Sequence, residues 1–212
     1  MTITEPMTMA TDYLITIFAF VWGIRMLGKN KARPGRAVRF WAGALIFTGV
    51  AAATGGTFHG FITMMPDWLD TTTWKATMVA IGVASFCFAS ATIFTAFKGG
   101  LRRILLWVVA VKLLAYLWWL IGHDHFKYAI YEYSPTMVAA LIIQLYLWMK
   151  RKDPAAPWIV AGIAVSFLAA SVQMVGVGLH EHFNQNDIYH VVQIAGLYLF
   201  YRGGVLVSDR AT

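Results

Sequence analysis

The sequence predicts an all-α polytopic membrane protein: one bundle of seven transmembrane helices, N-terminus outside and C-terminus in the cytoplasm. Three observations carry that expectation. The chain of 212 residues is 59% hydrophobic and only 13% charged, where a soluble domain holds about 25% charged residues, and its mean hydropathy is +0.62. Its apolar runs each approach the ~20 residues that cross a bilayer. Finally, its basic residues concentrate in every second loop.

The first apolar segment is about Thr11–Leu27, and the second, 37–61, lies in a stretch free of Asp, Glu, Lys and Arg from Phe40 to Pro66. The third is about 76–97 and the fourth about 104–121. Pro135 kinks the first turns of the fifth, about 131–149. The sixth, 157–179, opens on a Pro suited to a helix start. The seventh, about 187–207, contains Arg202, which must snorkel toward its end. Short loops leave no room for a second domain, and runs of this length exclude a β-barrel, which would alternate.

Orientation follows from the loops. Lys29, Lys31, Arg33, Arg36 and Arg39 join segments one and two; Lys98, Arg102 and Arg103 join three and four; Lys150, Arg151 and Lys152 join five and six. The opposite loops hold only Lys75 and Lys127, so these sites face outward by the positive-inside rule. The net charge of +7 is spread over these loops and forms no basic face with exposed aromatics, which excludes a nucleic-acid partner. Cys87 is the single cysteine and cannot form an internal disulfide. Residues 1–11 hold no Lys or Arg, so no cleavable signal is expected.

All six histidines then fall on the outer side: His59, His123, His125, His180, His182 and His190, with Asp67, Asp70, Asp124, Glu132, Glu181 and Asp187. The stretch His180–Gln193, HEHFNQNDIYHVVQ, gathers three of these histidines at the mouth of the last segment. Ionisable groups so near hydrocarbon point to function. Imidazole and carboxylate are zinc ligands, and a catalytic site keeps three protein ligands and a water. Asp187 and His190, three residues apart, share a helix face, as do Asn186 and His190; Gln193 continues it. His59 sits at comparable depth after a Gly-Gly-Thr run that admits another backbone; alone, it reads as an interfacial histidine bonded to a carbonyl. Lys112, mid-segment, needs a polar partner, for which Glu132 lies too near the outer end. Gln144 and Gln173 are expected in interhelical hydrogen bonds, and Tyr116, Trp118 and Trp119 at the outer headgroup boundary.

The segments GGTFHG and FNQNDIYHVVQ, with the helix count and order, resemble the CREST superfamily, which includes alkaline ceramidases and progestin/adipoQ receptors. The resemblance implies seven helices and a zinc site in a bacterial branch of the group. His59 and His190 would be metal ligands, and Asp70 the acid near the start of helix three that orients or deprotonates a zinc-bound water. The chain departs from the pattern at Asn186, where the group has His, and at Gly55, where it has Ser. A third ligand would come from Asp187, His182 or His180, with Asp187 preferred.

Three functions are therefore expected to compete. The first is a zinc-dependent hydrolase of a lipid amide or ester at the outer leaflet of a bacterial cytoplasmic membrane. The second is a non-catalytic membrane subunit or receptor, with lipids and other membrane subunits as partners. The third, ranked last, is a b-type haem protein using two outer histidines.

Overall fold

A computed structural model describes residues 3–29, 35–176, 178–180 and 183–210. Its helices are α1 (Pro6–Lys29), α2 (Arg36–Phe61), α3 (Asp67–Ala96), α4 (Gly99–Trp119), α5 (Lys127–Arg151), α6 (Ala156–Val175) and α7 (Gln185–Gly204), with a 3-10 turn at Ile62–Met64. The protein is all-helical; the one β pairing among the described residues is an isolated bridge between His180 and Phe183. Four helical stretches are long and apolar enough to cross a membrane: Pro6–Gly28, Arg36–Met64, Asp67–Ala96 and Ala156–Val175.

The helices begin ahead of the apolar segments, on polar first turns that hydropathy does not mark. The largest difference is at α3, which begins at Asp67 instead of residue 76, with Asp67 and Asp70 in its first turn, where the helix dipole favours acids. α2 starts on the carboxylate of Asp209, which accepts from the backbone N–H groups of Arg36 (3.0 Å) and Ala37 (2.7 Å). α7 opens with a capping box in which Asn184 and Asp187 exchange side-chain-to-backbone bonds. α6 stops short of residue 179 because Gly176, at φ 75°, turns the chain left-handed.

Six helices close a ring in the order α1, α2, α3, α5, α6, α7, while α4 packs on α3 from outside. The middle of the ring is filled by Trp41, Leu45, Phe88, Ile159, Ile163 and Phe200. There Trp41 meets Phe88 edge-on at 4.7 Å, and Phe88 meets Phe200 at 5.4 Å. Small residues let α1 and α2 approach closely, as helices in lipid require. A Cβ at Gly56 would stand 2.8 Å from the Cβ of Asp12 and 3.2 Å from the Met9 carbonyl. Gly56→Val is therefore expected to destabilise the bundle by about 1–3 kcal/mol through overpacking. Gly28→Val, where nothing lies within 4 Å, is the control; unfolding of both variants in detergent is the measurement.

Expectations for two residues of α4 are corrected. Lys112 does pair with Glu132: its Nζ donates to Oε1 (2.6 Å), to the Glu132 carbonyl (2.6 Å) and to Thr136 Oγ1 (2.7 Å). α5 begins at Lys127, so at 1.5 Å per residue Glu132 lies about 8 Å down the helix, within reach of a four-carbon stem. Tyr116 marks no headgroup boundary; it is buried and donates from its hydroxyl to the Met78 carbonyl at 3.1 Å, joining α4 to α3. Gln173 does bridge helices, Nε2 donating to Asn186 Oδ1 at 2.9 Å. Gln144, by contrast, is buried with its amide nitrogen unpartnered among the described residues.

Candidate functional site at the histidine end

α2 and α4 end, and α3, α5 and α7 begin, at one end of the bundle, which places His59, His123, His125, His180 and His190 there together. His182 and Glu181 lie outside the described residues. His180 is exposed and pairs through its backbone with Phe183. His123 stacks on Trp119 at 3.9 Å.

The element that organises this end is α1, which stands between α2 and α7. Thr8, Thr11 and Asp12 are spaced i, i+3, i+4, so they share one helical face, and all three meet α7. Thr8 Oγ1 donates to Asp187 Oδ1 at 3.0 Å. The other oxygen of Asp187 accepts from the Asn184 backbone N–H at 2.8 Å, closing the cap of α7. His190 sits between Thr11, with Nδ1 2.9 Å from Oγ1, and Asp12, with Nε2 3.3 Å from Oδ1. Just ahead of α1, Glu5 Oε2 lies 3.3 Å from His59 Nδ1, and the Glu5 backbone N–H donates to the His59 carbonyl at 3.2 Å.

The Thr11 hydroxyl carries one proton and has three neighbours, since the carbonyls of Met7 and Thr8 also lie 3.0 Å away. When it donates to a carbonyl it can accept from Nδ1–H of His190; when it donates to Nδ1, the ring is neutral with its hydrogen on Nε2 toward Asp12. Both protonation states of the imidazole are thus accommodated without moving a helix. Hydroxyl, imidazole and carboxylate stand in the order of a nucleophilic triad. Thr11 is only 4% exposed, however, and offers no face to a substrate. The chain can hold a proton; it is not open for attack on a carbonyl.

The expected zinc set can be tested against the same contacts. His59 directs Nδ1 at Glu5, His190 has both ring nitrogens on α1, and Asp187 has both oxygens bonded. Arranged so, the donors do not fit a metal: they face protein partners rather than one common point. Among the described residues no three of His, Cys, Asp and Glu are grouped to hold an ion. Asp70 stands apart from this network, half-buried in the first turn of α3 and accepting from Thr71 at 3.0 Å. Asn186 and Gln193 face α6 instead, bonding Gln173 and Ser166.

Sequence reasoning missed Glu5, Thr8, Thr11 and Asp12. The available signal was the acid one turn inside an apolar helix, preceded at helical spacing by two hydroxyls.

No curated protein and no solved structure matches the chain. The family described as "Family of unknown function (DUF6962)" matches residues 7–209, and the chain belongs to it.

Proposed function

We propose that the protein is a non-catalytic seven-helix membrane protein, N-terminus outside, that acts by binding lipids or neighbouring subunits in a bacterial cytoplasmic membrane. The observation that carries this reading is the commitment of His59, Asp187 and His190 to partners on α1 and to the α7 cap. Residues spent in this way hold helices together. The seven-span reading is supported by the outward faces of the three less apolar helices, which present Trp107 and Leu114 on α4, Val138 and Ile142 on α5, and Val191 on α7. The orientation rests on the placement of Lys and Arg.

The placement of His59 and His190 at the same end of the bundle, each on a partner from the N-terminal segment, favours one second reading, the zinc-dependent lipid amide or ester hydrolase, with His59, Asp187 and His190 on the metal and Asp70 beside it. Metal analysis of purified protein and of His190→Ala separates the two. The expected result is negligible zinc in both proteins, with the variant less stable by about 1–3 kcal/mol because Asp12 loses its partner. One equivalent of zinc in the native protein, absent from the variant, would select the hydrolase. Iron with a haem spectrum would select the third expectation.

A further inference from the structure

At the opposite end of the bundle four arginines from four parts of the chain converge on the last turn of α3. Arg210 Nη1 and Arg151 Nη1 donate to the same carbonyl, that of Ala96, at 2.6 and 3.0 Å. Arg102 donates from Nε to the Phe97 carbonyl (3.0 Å) and from Nη2 to the Arg210 carbonyl (3.0 Å). The guanidiniums of Arg102 and Arg36 lie 5.5 and 5.7 Å from the centre of the Phe94 ring. One ring and one carbonyl therefore gather four positive charges.

No ion pair among the described residues joins these arginines to an acid. The ion pairs there are Glu5–His59, Lys112–Glu132 and Asp12–His190, all on other groups. The two acids at this end bond backbone N–H groups, Asp209 at the start of α2 and Asp153 at Ala155 (2.8 Å), and offset at most two of the four charges. The carbonyls closing α3 supply about half a negative charge, well short of four. Each guanidinium has five N–H donors in a planar fork, and these contacts use two at Arg102, one each at Arg151 and Arg210, and none at Arg36. Arg36 and Arg151 are exposed, and Arg102 and Arg210 half-exposed, so unused donors face outward.

An apolar strip begins beside the cluster. Leu101 and Ile104 flank Arg102, and Ile104, Trp107, Val108 and Val111 line a shallow groove along the outer face of α4. A charged head beside a strip that runs into the bilayer is the shape of one phospholipid. Basic pockets between membrane helices bind anionic headgroups, and guanidinium forks match phosphate oxygens.

We propose that Arg36, Arg102, Arg151 and Arg210 form a binding site for the phosphate of an anionic phospholipid whose acyl chain lies along α4. The proposal rests on the membrane reading and is independent of whether the histidine end carries zinc.

The test uses the full chain in detergent with mixed micelles of dioleoylphosphatidylglycerol or dioleoylphosphatidylcholine, bound lipid being counted by native mass spectrometry. Retention of phosphatidylglycerol in preference to phosphatidylcholine is expected. Arg36→Gln with Arg151→Gln should weaken it about 25-fold, at roughly five-fold per charge. Arg39→Gln with Arg103→Gln removes the same charge from exposed positions outside the cluster and should leave retention near the native value. Equal loss in the two double variants would reduce the site to diffuse surface charge and overturn it. Equal retention of the two lipids would also overturn it, as would displacement of phosphatidylglycerol by millimolar inorganic phosphate, which would mark a site for the free ion. If the first double variant fails to fold, Arg36→Gln alone should show about a five-fold loss, and an unchanged affinity would end the proposal. Zinc in the protein would alter none of these outcomes, whereas a chain that stays soluble without detergent would sink the membrane reading itself.

Discussion

Lys112→Met is expected to cost about 3–5 kcal/mol of stability, the largest single effect at any residue of the bundle. The lysine side chain is 34% exposed, but that of Glu132, its partner, is only 3% exposed. Removing the cation leaves an acid in a low-dielectric interior, with one carboxylate oxygen that already has no hydrogen-bond partner. Thr136 loses a donor at the same time, although Ser85 still bonds it at 3.1 Å. Lys112→Met combined with Glu132→Leu should recover most of the loss, because replacing a buried pair with apolar groups is often neutral. Unfolding in mixed detergent micelles measures both. A double variant as unstable as the single would show that the pair positions α4 through shape rather than charge.

Asp187→Ala is expected to be the second costly change, at roughly 2–4 kcal/mol. Asp187 is fully buried, at 0% exposure, and does two jobs with two oxygens. One closes the cap of α7, a contribution of about 1 kcal/mol. The other accepts from Thr8, a bond to a charged group contributing about 1.5–3 kcal/mol. Asp187→Asn keeps one acceptor oxygen and should lose about half as much. Thr8→Val should reproduce only the Thr8 part of the loss. If Asp187→Ala left stability unchanged but removed a bound metal, the ligand role would be restored to it.

The number and order of the helices were legible because apolar runs near 20 residues are a direct demand of the bilayer. The helix ends were not, because Asn184 and Asp187 start α7 by satisfying backbone N–H groups and Asp67 and Asp70 lie in the first turn of α3, where the dipole favours them, signals unrelated to hydropathy. The histidine end was legible as a cluster: His59 and His190 were marked by their type and by the Gly-Gly run that brings α2 against α1. What each of them touches was not. Thr8 and Thr11 are ordinary residues in sequence, and their meaning depends on α1 standing between α2 and α7, a neighbour relation that no local pattern encodes. The same holds for Lys112, whose partner became reachable only once α5 began four residues earlier than its apolar run.

The two ends of the chain are stitched to each other. α1 reaches α7 through Thr8, Thr11 and Asp12, while Asp209 and Arg210 hold the start of α2 and the end of α3. During synthesis, then, Asp12 is made long before His190, and α2 waits uncapped for a residue more than 170 positions downstream. The α1–α2 pair packs on its own contacts, but the cap of α2 and the partner of Asp12 are among the last residues made. A chain cut short before α7 would leave Asp12 without His190 and the start of α2 without its cap.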